Sequence, residues 1–370
     1  MRLKTAQPSS RLPAVKVLAA MSGGVDSALA AALAVEAGHE VVGVHMALLR
    51  NRQLFREGSR GCCSIEDSLD ARRVADKLGI PFYVWDLSES FQDTVVNDFI
   101  AEYQAGRTPN PCIRCNEHVK FSTLANRANA LGFDAVATGH YAQLINGELH
   151  RSANLEKDQS YVLAVAGPQR LAHSVFPLGG FASKAEVRAE AAARGFAVSN
   201  KPDSYDICFI PDGDTRGFLR DRLGVQPGSI VDETGAEVGQ HDGAYGFTVG
   251  QRKGLFLGRP AADGQPRYVL SADPVTNVVT VGPRELLTVT EITGVDPVWY
   301  VEPPSSGQYL LAGIQVRAHG REVPARITTQ GDSVVFELLD DKLAGIASGQ
   351  SIVAYQGSRV ILQATTSGAR

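Results

Sequence analysis

The stretch Met21-Ser22-Gly23-Gly24-Val25-Asp26-Ser27 decides the fold of the first half of this chain. An apolar run from Val15 to Ala20 leads into it, and an alanine-rich run from Ala28 to Ala37 follows it. A strand, a glycine turn and a helix N-terminus together form a geometry that binds phosphate. The glycines let backbone N–H groups approach an anion, and the first helical turn faces that anion with unpaired N–H groups. No lysine follows the glycines as it does in a Walker A loop, so the sequence predicts a phosphate loop of another class.

The pattern Ser-Gly-Gly-x-Asp-Ser after a strand resembles the PP-loop of ATP pyrophosphatases. The resemblance implies cleavage of ATP between its α- and β-phosphates, which leaves AMP on a substrate. The alternative is an ordinary Ser/Gly turn with Asp26 near a helix start. The number of specified positions, together with the strand before them and the helix after them, disfavours that alternative.

Composition sets limits on the class of protein. The 370 residues predict two or three domains, and 44% hydrophobic with 21% charged residues is typical of globular chains. A net charge of −4 does not indicate a nucleic-acid partner, so any such binding must come from local basic patches. No apolar stretch is long enough to span a bilayer, and residues 1–14 lack the apolar core of a signal peptide. We therefore expect a flexible N-terminal extension over 1–14, a cytoplasmic location and no membrane partner.

Two kinds of periodicity divide the chain. Up to about residue 215, strand and helix patterns alternate, which predicts an α/β domain with a doubly wound parallel sheet over 15–215. Ligands bind such sheets at the carboxyl ends of the strands. After about residue 215, turn dipeptides separate short runs rich in Val, Ile, Tyr and Thr, which is typical of all-β structure. We predict a small central β-rich domain over 216–285 and a β-barrel-like domain over 286–370.

The chain has five cysteines, which are too few for a disulfide scaffold at this length, and in a reducing compartment they are reactive, metal-binding or simply buried. They are Cys62, Cys63, Cys112, Cys115 and Cys208. The segment Arg107-Thr108-Pro109-Asn110-Pro111-Cys112-Ile113-Arg114-Cys115-Asn116 has prolines that predict a stiff, non-helical loop. Its arginines would favour the reactive thiolate, because nearby positive charge lowers the pKa of a thiol.

Three other interpretations of the cysteines stay open at this point. Cys112 and Cys115 have the spacing of a structural zinc half-site, but a closed zinc site needs four ligands and a second Cys-x-x-Cys is missing. A thioredoxin-like redox pair is possible by spacing, although the proline-rich loop is not the expected turn between a strand and a helix. Cys208, flanked by Ile207 and Phe209, is also compatible with a buried free cysteine in a strand.

Several separate blocks, from about Val15 to the C-terminus, resemble the bacterial tRNA-specific 2-thiouridylase family (MnmA/TrmU). The blocks are Met21–Ser27, Arg107–Pro111 with Cys115-Asn116, Thr138-Gly139-His140-Tyr141, Lys157–Tyr161, Asp203-Ser204 with Ile207–Ile210, and Thr248–Gly254. The glycine loop alone would indicate only the PP-loop superfamily, whereas the proline loop and the Ile-Cys-Phe-Ile block are specific to this family. The resemblance implies an adenine nucleotide alpha hydrolase-like domain that adenylates the C2 oxygen of the wobble uridine in tRNA. Sulfur then replaces that oxygen to give 2-thiouridine, with release of AMP and pyrophosphate.

The same resemblance implies roles for individual residues. Cys208 would carry sulfur as a persulfide, and Cys115 would be the catalytic nucleophile; in one version of the reaction the two end as a disulfide bond. A sulfur-relay protein or a cysteine desulfurase would supply the persulfide. ATP, accompanied by Mg²⁺, would contact Ala20, Met21, Ser22, Gly23, Gly24, Val25, Asp26, Ser27, Met46 and Gly139. The target base would contact Asn110, Pro111 and Cys112. The tRNA would contact His140, Lys157, Asp158 and Gln159, and by a looser match Arg252, Lys253, Arg317, Ala318 and Gln350.

The sequence departs from the family pattern at Cys112, where many members have Asp. Cys112, Cys115 and Cys208 could therefore be three ligands of a 4Fe-4S cluster whose fourth iron stays open, which is an alternative to the persulfide route. Two further alternatives are a PP-loop C–N ligase, which would not need Cys115 and Cys208, and a non-catalytic RNA-binding or sulfur-carrying module. We assign no chemistry to Cys62 and Cys63, and we expect a monomer.

Overall fold

The computed structural model describes residues 15–49, 65–203, 207–258, 263–339 and 342–370. Its first part is built on a five-stranded sheet in which all neighbouring strands are parallel. In spatial order the strands are Phe82–Asp86, Glu40–Ala47, Lys16–Ala20, Ala135–Ala137 and Ser174–Val175. The strand Lys16–Ala20 is central, so the glycine loop leaves the sheet at its middle.

This central strand shows why the sheet is covered on both faces. Val17 and Ala19 pack into one hydrophobic core, whereas Leu18 and Ala20 pack into a second core on the opposite face. Successive side chains of a strand point to opposite faces, so a continuous apolar run needs helices on both sides. The prediction of a doubly wound α/β sheet is confirmed.

The main helices follow the predicted order. They are Val25–Glu36, Ile65–Leu78, Ser88–Phe91 continued by Gln92–Val96 and Asn97–Gln104, Pro111–Arg114 continued by Cys115–Leu124 and Ala125–Ala130, Lys184–Ala193 and Thr215–Leu223. Short helical turns lie at Leu155–Lys157, Ser160–Leu163, Ala164–Ala166, Gly167–Leu171, Ala197–Asn200, Ala244–Gly246 and Arg284–Leu287. Among the helices of the described ranges, none combines the length and apolar character needed to cross a membrane.

One prediction about the cysteine segment is wrong. The prolines were expected to keep it non-helical, but a helix begins at Pro111 and continues to residue 130; we call it the cysteine helix. Proline is tolerated at the first helical position, because the N–H that it lacks would have no partner there. The Asn110 side chain caps this helix by accepting a hydrogen bond from the Cys112 N–H at 3.0 Å. Cys112 and Cys115 therefore lie in its first turns.

The rest of the chain is mostly β structure, as predicted, with one exception. A four-stranded sheet contains Tyr268–Asp273, Val278–Gly282, Gly228–Val231 and Glu237–His241 in spatial order. The exception is the helix Thr215–Leu223, which the fading helical pattern after residue 215 did not predict. Asp214 caps this helix through a hydrogen bond from the Gly217 N–H, and Leu219 anchors it in the second core of the parallel sheet.

The C-terminal strands close into a six-stranded barrel, so the prediction of a β-barrel-like domain is confirmed. Its strands, in spatial order, are Glu291–Trp299, Ser333–Leu338, Val323–Gln330, Leu310–Gln315, Ser351–Gln356 and Arg359–Ala369, and the last pairs back with the first. The hairpin of Ala142–Ile145 and Glu148–Arg151 extends this sheet through a pairing of His150 with Arg359. A small separate pair joins Thr288–Val289 to Leu343–Ala344.

Candidate active site

The glycine loop joins the central strand to the helix Val25–Glu36, whose N-cap is Gly24. Gly23 has a φ of +82°, and a Cβ at this position would lie 2.2 Å from the Asp67 carbonyl oxygen. Gly139 approaches the same helix from the end of a neighbouring strand, where a Cβ would lie 2.7 Å from the Asp26 carbonyl carbon. Both positions therefore require glycine, because the backbone passes too close to its neighbours for any side chain.

Hydrogen bonds of Ser22 and Ser27 hold the glycine loop in its conformation. The Ser22 N–H donates to the Ser27 hydroxyl at 3.1 Å, and that hydroxyl donates to the Gly24 carbonyl at 3.1 Å. The two hydroxyl oxygens lie 3.2 Å apart. The loop is thus preformed by its own hydrogen bonds, which is the arrangement expected of a phosphate site.

Four of the predicted nucleotide contacts are apolar residues: Ala20, Met21, Val25 and Met46. Ala20, Met21 and Val25 are buried, so a ligand could contact these residues through their backbone atoms. The Met21 carbonyl oxygen lies 2.9 Å from Nδ1 of the buried His45. Met46 follows His45 near the end of its strand, is half-buried and packs against the second core.

Two lysines from distant parts of the chain converge on the loop. The Lys184 ammonium bonds both carboxylate oxygens of Asp26, at 2.7 and 2.6 Å, and lies 3.1 Å from Asp203. The Lys201 ammonium donates to the Gly23 carbonyl at 3.1 Å and to Asp67 at 2.7 Å. Sequence reasoning missed both lysines as site residues, because each lies more than 150 positions from the loop that it contacts.

Asp203 is the centre of this charged group. Lys157 and Arg188 each lie 3.0 Å from its carboxylate, in addition to Lys184. Burial acts to raise the pKa of the Asp203 carboxyl, but the hydrogen bonds from Lys157 and Lys184 hold that pKa below its usual value. Asp203 therefore stays ionised and holds three cations, one of which, Lys184, also bonds Asp26 in the first turn after the glycine loop.

The cysteine helix presents its two thiols differently. Cys112 is exposed, whereas Cys115 is buried with 8% of its surface accessible. The neighbouring Asn116 is also buried and donates through Nδ2 to the Val162 carbonyl at 2.9 Å. The side-chain oxygen of Asn116 has no hydrogen-bond partner among the described residues, so one polar atom beside Cys115 is left unsatisfied.

The positive charges expected to activate these thiols are offset by carboxylates. Arg107 pairs with Glu102, and Arg114 lies 3.3 Å from Asp98 and 2.9 Å from Glu117. The arginines thus have structural partners already, which the sequence alone did not reveal.

Cys115 and Cys208 belong to the same apolar cluster, although they lie far apart in sequence. Cys115 is one of its buried members, and the half-buried Cys208 packs against it in a turn that includes Phe209. Ala20, the last strand residue before the glycine loop, belongs to this cluster as well. The structure therefore brings the predicted nucleotide loop and both predicted catalytic cysteines to one core.

The described residues offer no preformed metal site. Within the described ranges, no three His, Cys, Asp or Glu side chains group closely enough to hold a metal ion. The three cysteines considered as cluster ligands do not form such a group. Cys62 and Cys63 lie outside the described residues.

Three of the predicted tRNA residues, His140, Asp158 and Gln159, form hydrogen bonds to neighbouring residues of the protein. His140 is buried between Phe121 and Phe176, and its Nδ1 lies 2.7 Å from the Thr138 hydroxyl. Burial, assisted by the charge of Lys120, lowers the pKa of His140 well below its usual value. Two neighbouring side chains act similarly: Asp158 accepts from the Ser152 N–H at 2.8 Å, and Gln159 accepts from the Tyr141 N–H at 2.9 Å.

Two of the predicted tRNA residues of the C-terminal part, Arg317 and Gln350, line a cleft of about 360 Å³ where all three parts of the chain meet. Its walls include Arg317 and Gln350 of the barrel, Gln251 of the central part and Thr108 of the segment before the cysteine helix. Gln350 donates to the Thr108 carbonyl, and the Thr108 N–H donates to the Ser348 carbonyl at 2.8 Å. The carbonyl of Ala318, next to Arg317, accepts from Gln315 at 2.9 Å. The cleft therefore ends at the backbone that leads into the cysteine helix.

Family models match three consecutive parts of this chain. The model described as tRNA methyl transferase HUP domain matches residues 15–212. Those described as tRNA methyl transferase PRC-barrel domain and Aminomethyltransferase beta-barrel domain match residues 216–283 and 289–362.

Proteins of known name are similar over nearly the whole length. The tRNA-specific 2-thiouridylase MnmA of Beutenbergia cavernae is 64% identical, over 95% of this chain and 94% of its own length. The proteins with the same name from Streptomyces avermitilis and Salinispora arenicola are each 59% identical over 95% of this chain, covering 94% and 99% of their own lengths.

Proposed function

The chain belongs to the tRNA-specific 2-thiouridylase family, and on that premise we propose that it converts the wobble uridine of tRNA to 2-thiouridine with ATP. The observation that carries the proposal is the shared cluster of Ala20, Cys115 and Cys208, which joins the nucleotide loop to two thiols. A carbonyl oxygen is a poor leaving group. Attack of the uridine O2 on the α-phosphate of ATP releases pyrophosphate and turns that oxygen into part of AMP.

The glycine loop would bind the phosphates of ATP through backbone N–H groups and the Ser22 hydroxyl. We propose that Lys184 and Lys201 supply the positive charge that a Walker A lysine supplies elsewhere. Phosphate oxygens would replace Asp26 as the partner of Lys184, and Asp203 would keep that lysine within reach of the loop. Such fixed charges stabilise the negative charge that develops on the leaving pyrophosphate.

Mg²⁺ would accompany ATP and offset its phosphate charge when bound. Mg²⁺ in nucleotide sites is usually held by one or two carboxylates together with phosphate oxygens and water, so the absence of a three-residue group in the described ranges does not conflict with it. We propose Asp26 as the carboxylate, because it stands in the first turn of the helix after the loop.

Sulfur would arrive as a persulfide on Cys208, delivered by a sulfur-relay protein or a cysteine desulfurase. The Cys115 thiolate attacks the Cys208 sulfur, which breaks the bond to the terminal sulfur and releases hydrosulfide. The hydrosulfide attacks C2 of the adenylated uridine and AMP departs, while Cys115 and Cys208 are left as a disulfide. A dithiol reductant then restores both thiols. Burial of Cys115 in the apolar cluster would keep water from competing for the activated base.

We propose that tRNA spans the three parts of the chain, which we assign to 15–215, 216–285 and 286–370. Arg317 and Gln350 would contact it at the cleft, and Asn110, Pro111 and Cys112 would lie against the target base. Near the loop, Lys157 would contact tRNA, while His140, Asp158 and Gln159 would shape the surface it meets. Because the substrate is tRNA, we also propose the cytoplasm as the location and a monomer as the acting form.

Mass spectrometry of tRNA nucleosides after incubation with ATP, Mg²⁺ and a persulfide donor tests the proposal. We expect 2-thiouridine that depends on ATP and is absent with Cys208→Ala. If the wild type forms a nitrogen-substituted nucleoside instead of 2-thiouridine, and Cys208→Ala forms it at the same rate, a C–N ligase is the better assignment. If Cys208→Ala forms 2-thiouridine at the wild-type rate, Cys208 does not carry the sulfur. If the wild type releases neither AMP nor pyrophosphate in the presence of tRNA, the chain is a binding module.

Iron quantitation on anaerobically purified protein separates the two sulfur routes. A colourless, iron-free and fully active enzyme supports the persulfide route. The cluster route would be the better assignment if activity rises with the content of 4Fe-4S cluster and no persulfide forms on Cys208.

A further inference from the structure

The aromatic side chain of Phe256 is exposed to solvent. It is 82% exposed, and its φ of +49° places a bulky residue in the left-handed region. Non-glycine residues rarely adopt this conformation, and those that do tend to occur at functional sites, where the surrounding structure imposes the strain.

The surrounding loop is firmly anchored. Leu255 is buried in the core of the four-stranded sheet, and Leu257 packs against the same core, so the residue between them points outward. The Gly250 N–H donates to the Val269 carbonyl at 2.8 Å, and the Gly258 N–H donates to the Val238 carbonyl at 2.9 Å. Phe256 is therefore presented at a fixed position on the surface.

Two cations lie in the same loop as this aromatic ring. Arg252 and Lys253 are both exposed, and in the described part of the chain neither side chain forms a salt bridge. The Gln251 side chain donates to the Lys253 carbonyl at 2.9 Å and so fixes the turn that carries both charges. An exposed aromatic ring next to unpaired cations is the combination that binds single-stranded nucleic acid, with bases stacked on the ring and phosphates on the cations.

The loop also borders the cleft described above. Gly250 and Gln251 line the cleft together with Arg317 and Gln350. Phe256 belongs to the same loop as these two lining residues. Charge complementarity favours RNA over an apolar protein partner, because two exposed cations, Arg252 and Lys253, share the loop with the ring.

We propose that Phe256 stacks on an unpaired nucleotide of tRNA while Arg252 and Lys253 contact the adjoining phosphates. The inference rests on the proposed function, since it names tRNA as the ligand. Stacking accepts any base, so this contact would contribute affinity and position without selecting a sequence.

Equilibrium binding of an unmodified tRNA transcript tests the proposal with Phe256→Gly and Phe256→Trp. Glycine suits a positive φ, so we expect Phe256→Gly to keep or raise the thermal midpoint while it weakens binding by roughly 5- to 100-fold. Phe256→Trp retains a stacking surface and should bind within about twofold of the wild type. Tyr83→Ala removes another exposed aromatic, on the edge strand of the parallel sheet, and should leave binding unchanged.

Salt dependence separates stacking from charge. We expect Phe256→Gly to leave the slope of log Kd against log salt unchanged, whereas Arg252→Gln and Lys253→Gln should each reduce it by about 1. Wild-type binding by Phe256→Gly, or equal losses for Phe256→Gly and Phe256→Trp, would overturn the proposal. Formation of 2-thiouridine by the wild type is scored in the same preparations, so failure of the proposed function would be seen independently of Phe256.

Discussion

The Lys184 ammonium lies 2.6 Å from the Asp26 carboxylate, although 158 positions separate the two residues in sequence. Asp26 stands in the first turn after the glycine loop, and the Tyr141 hydroxyl donates to it as well, at 2.7 Å. The capped helix that begins at Lys184 thus brings a cation to a phosphate loop that has no lysine of its own.

Removal of this cation should impair the first half-reaction. We expect Lys184→Met to lower tRNA-dependent pyrophosphate release on the order of 100-fold, since the developing charge on the leaving group loses a fixed positive partner. Lys77→Met is the matched control, because Lys77 is an exposed lysine that bonds only the Gly195 carbonyl among the described residues. Equal rates for the two variants would show that Lys184 serves only to hold Asp26.

The two glycines of the loop should respond differently to the same change. A Cβ at Gly23 would meet the Asp67 carbonyl at 2.2 Å and would also require a left-handed backbone, so Gly23→Ala must shift the loop. Gly24 has a clear site, with Ser22 Oγ as the nearest atom at 3.7 Å. We expect ATP binding, measured by calorimetry, to be lost in Gly23→Ala and retained in Gly24→Ala. Loss in both variants would mean that any methyl group in the loop blocks the phosphates directly.

The three thiols should divide between the two half-reactions. Cys115→Ser and Cys208→Ser should abolish 2-thiouridine formation yet continue to release pyrophosphate, because neither cysteine takes part in adenylation. Cys112→Ser should retain thiolation, since Cys112 is exposed and lies outside the shared cluster of Cys115 and Cys208. Loss of thiolation in Cys112→Ser, with pyrophosphate release intact, would instead support a site that needs all three thiols.

Sequence reasoning found the parts of this site that are local in the chain. The glycine loop was predictable because strand, turn and helix start are consecutive and each has its own residue signal. The dipeptide Asn146-Gly147 is a residue signal of the same local kind, typical of a two-residue hairpin turn, and both residues adopt the positive φ that such a turn requires.

The parts that depend on contacts between distant segments were not predictable. Lys201 reaches Gly23 across 178 positions, and Gln350 reaches Thr108 across 242, with no signal in the intervening sequence. The helix start at Pro111 was missed because the penalty for proline inside a helix was applied to a position where proline is tolerated.

Because His140 is buried, we expect the folded protein to lose stability at mildly acidic pH. The folded protein keeps His140 neutral, because burial lowers its pKa well below the ordinary value of 6.5, and the charge of Lys120 acts in the same direction. The unfolded chain binds a proton at this residue as pH falls through 6.5, so the unfolded state then holds more protons than the folded state and stability decreases. A single such group contributes at most about 1.4 kcal/mol per pH unit below its unfolded pKa.

The thermal midpoint, measured at intervals from about pH 7 to pH 5, checks this expectation, because a histidine in the unfolded chain titrates within this range. We expect the midpoint of the wild type to fall over this range, and the fall to be smaller in His140→Gln, which cannot titrate. His241→Gln is the necessary comparison, because burial lowers the pKa of His241 too and it contributes in the same direction. If His140→Gln and the wild type lose the same number of degrees, His140 titrates alike in both states, which its packing between Phe121 and Phe176 argues against.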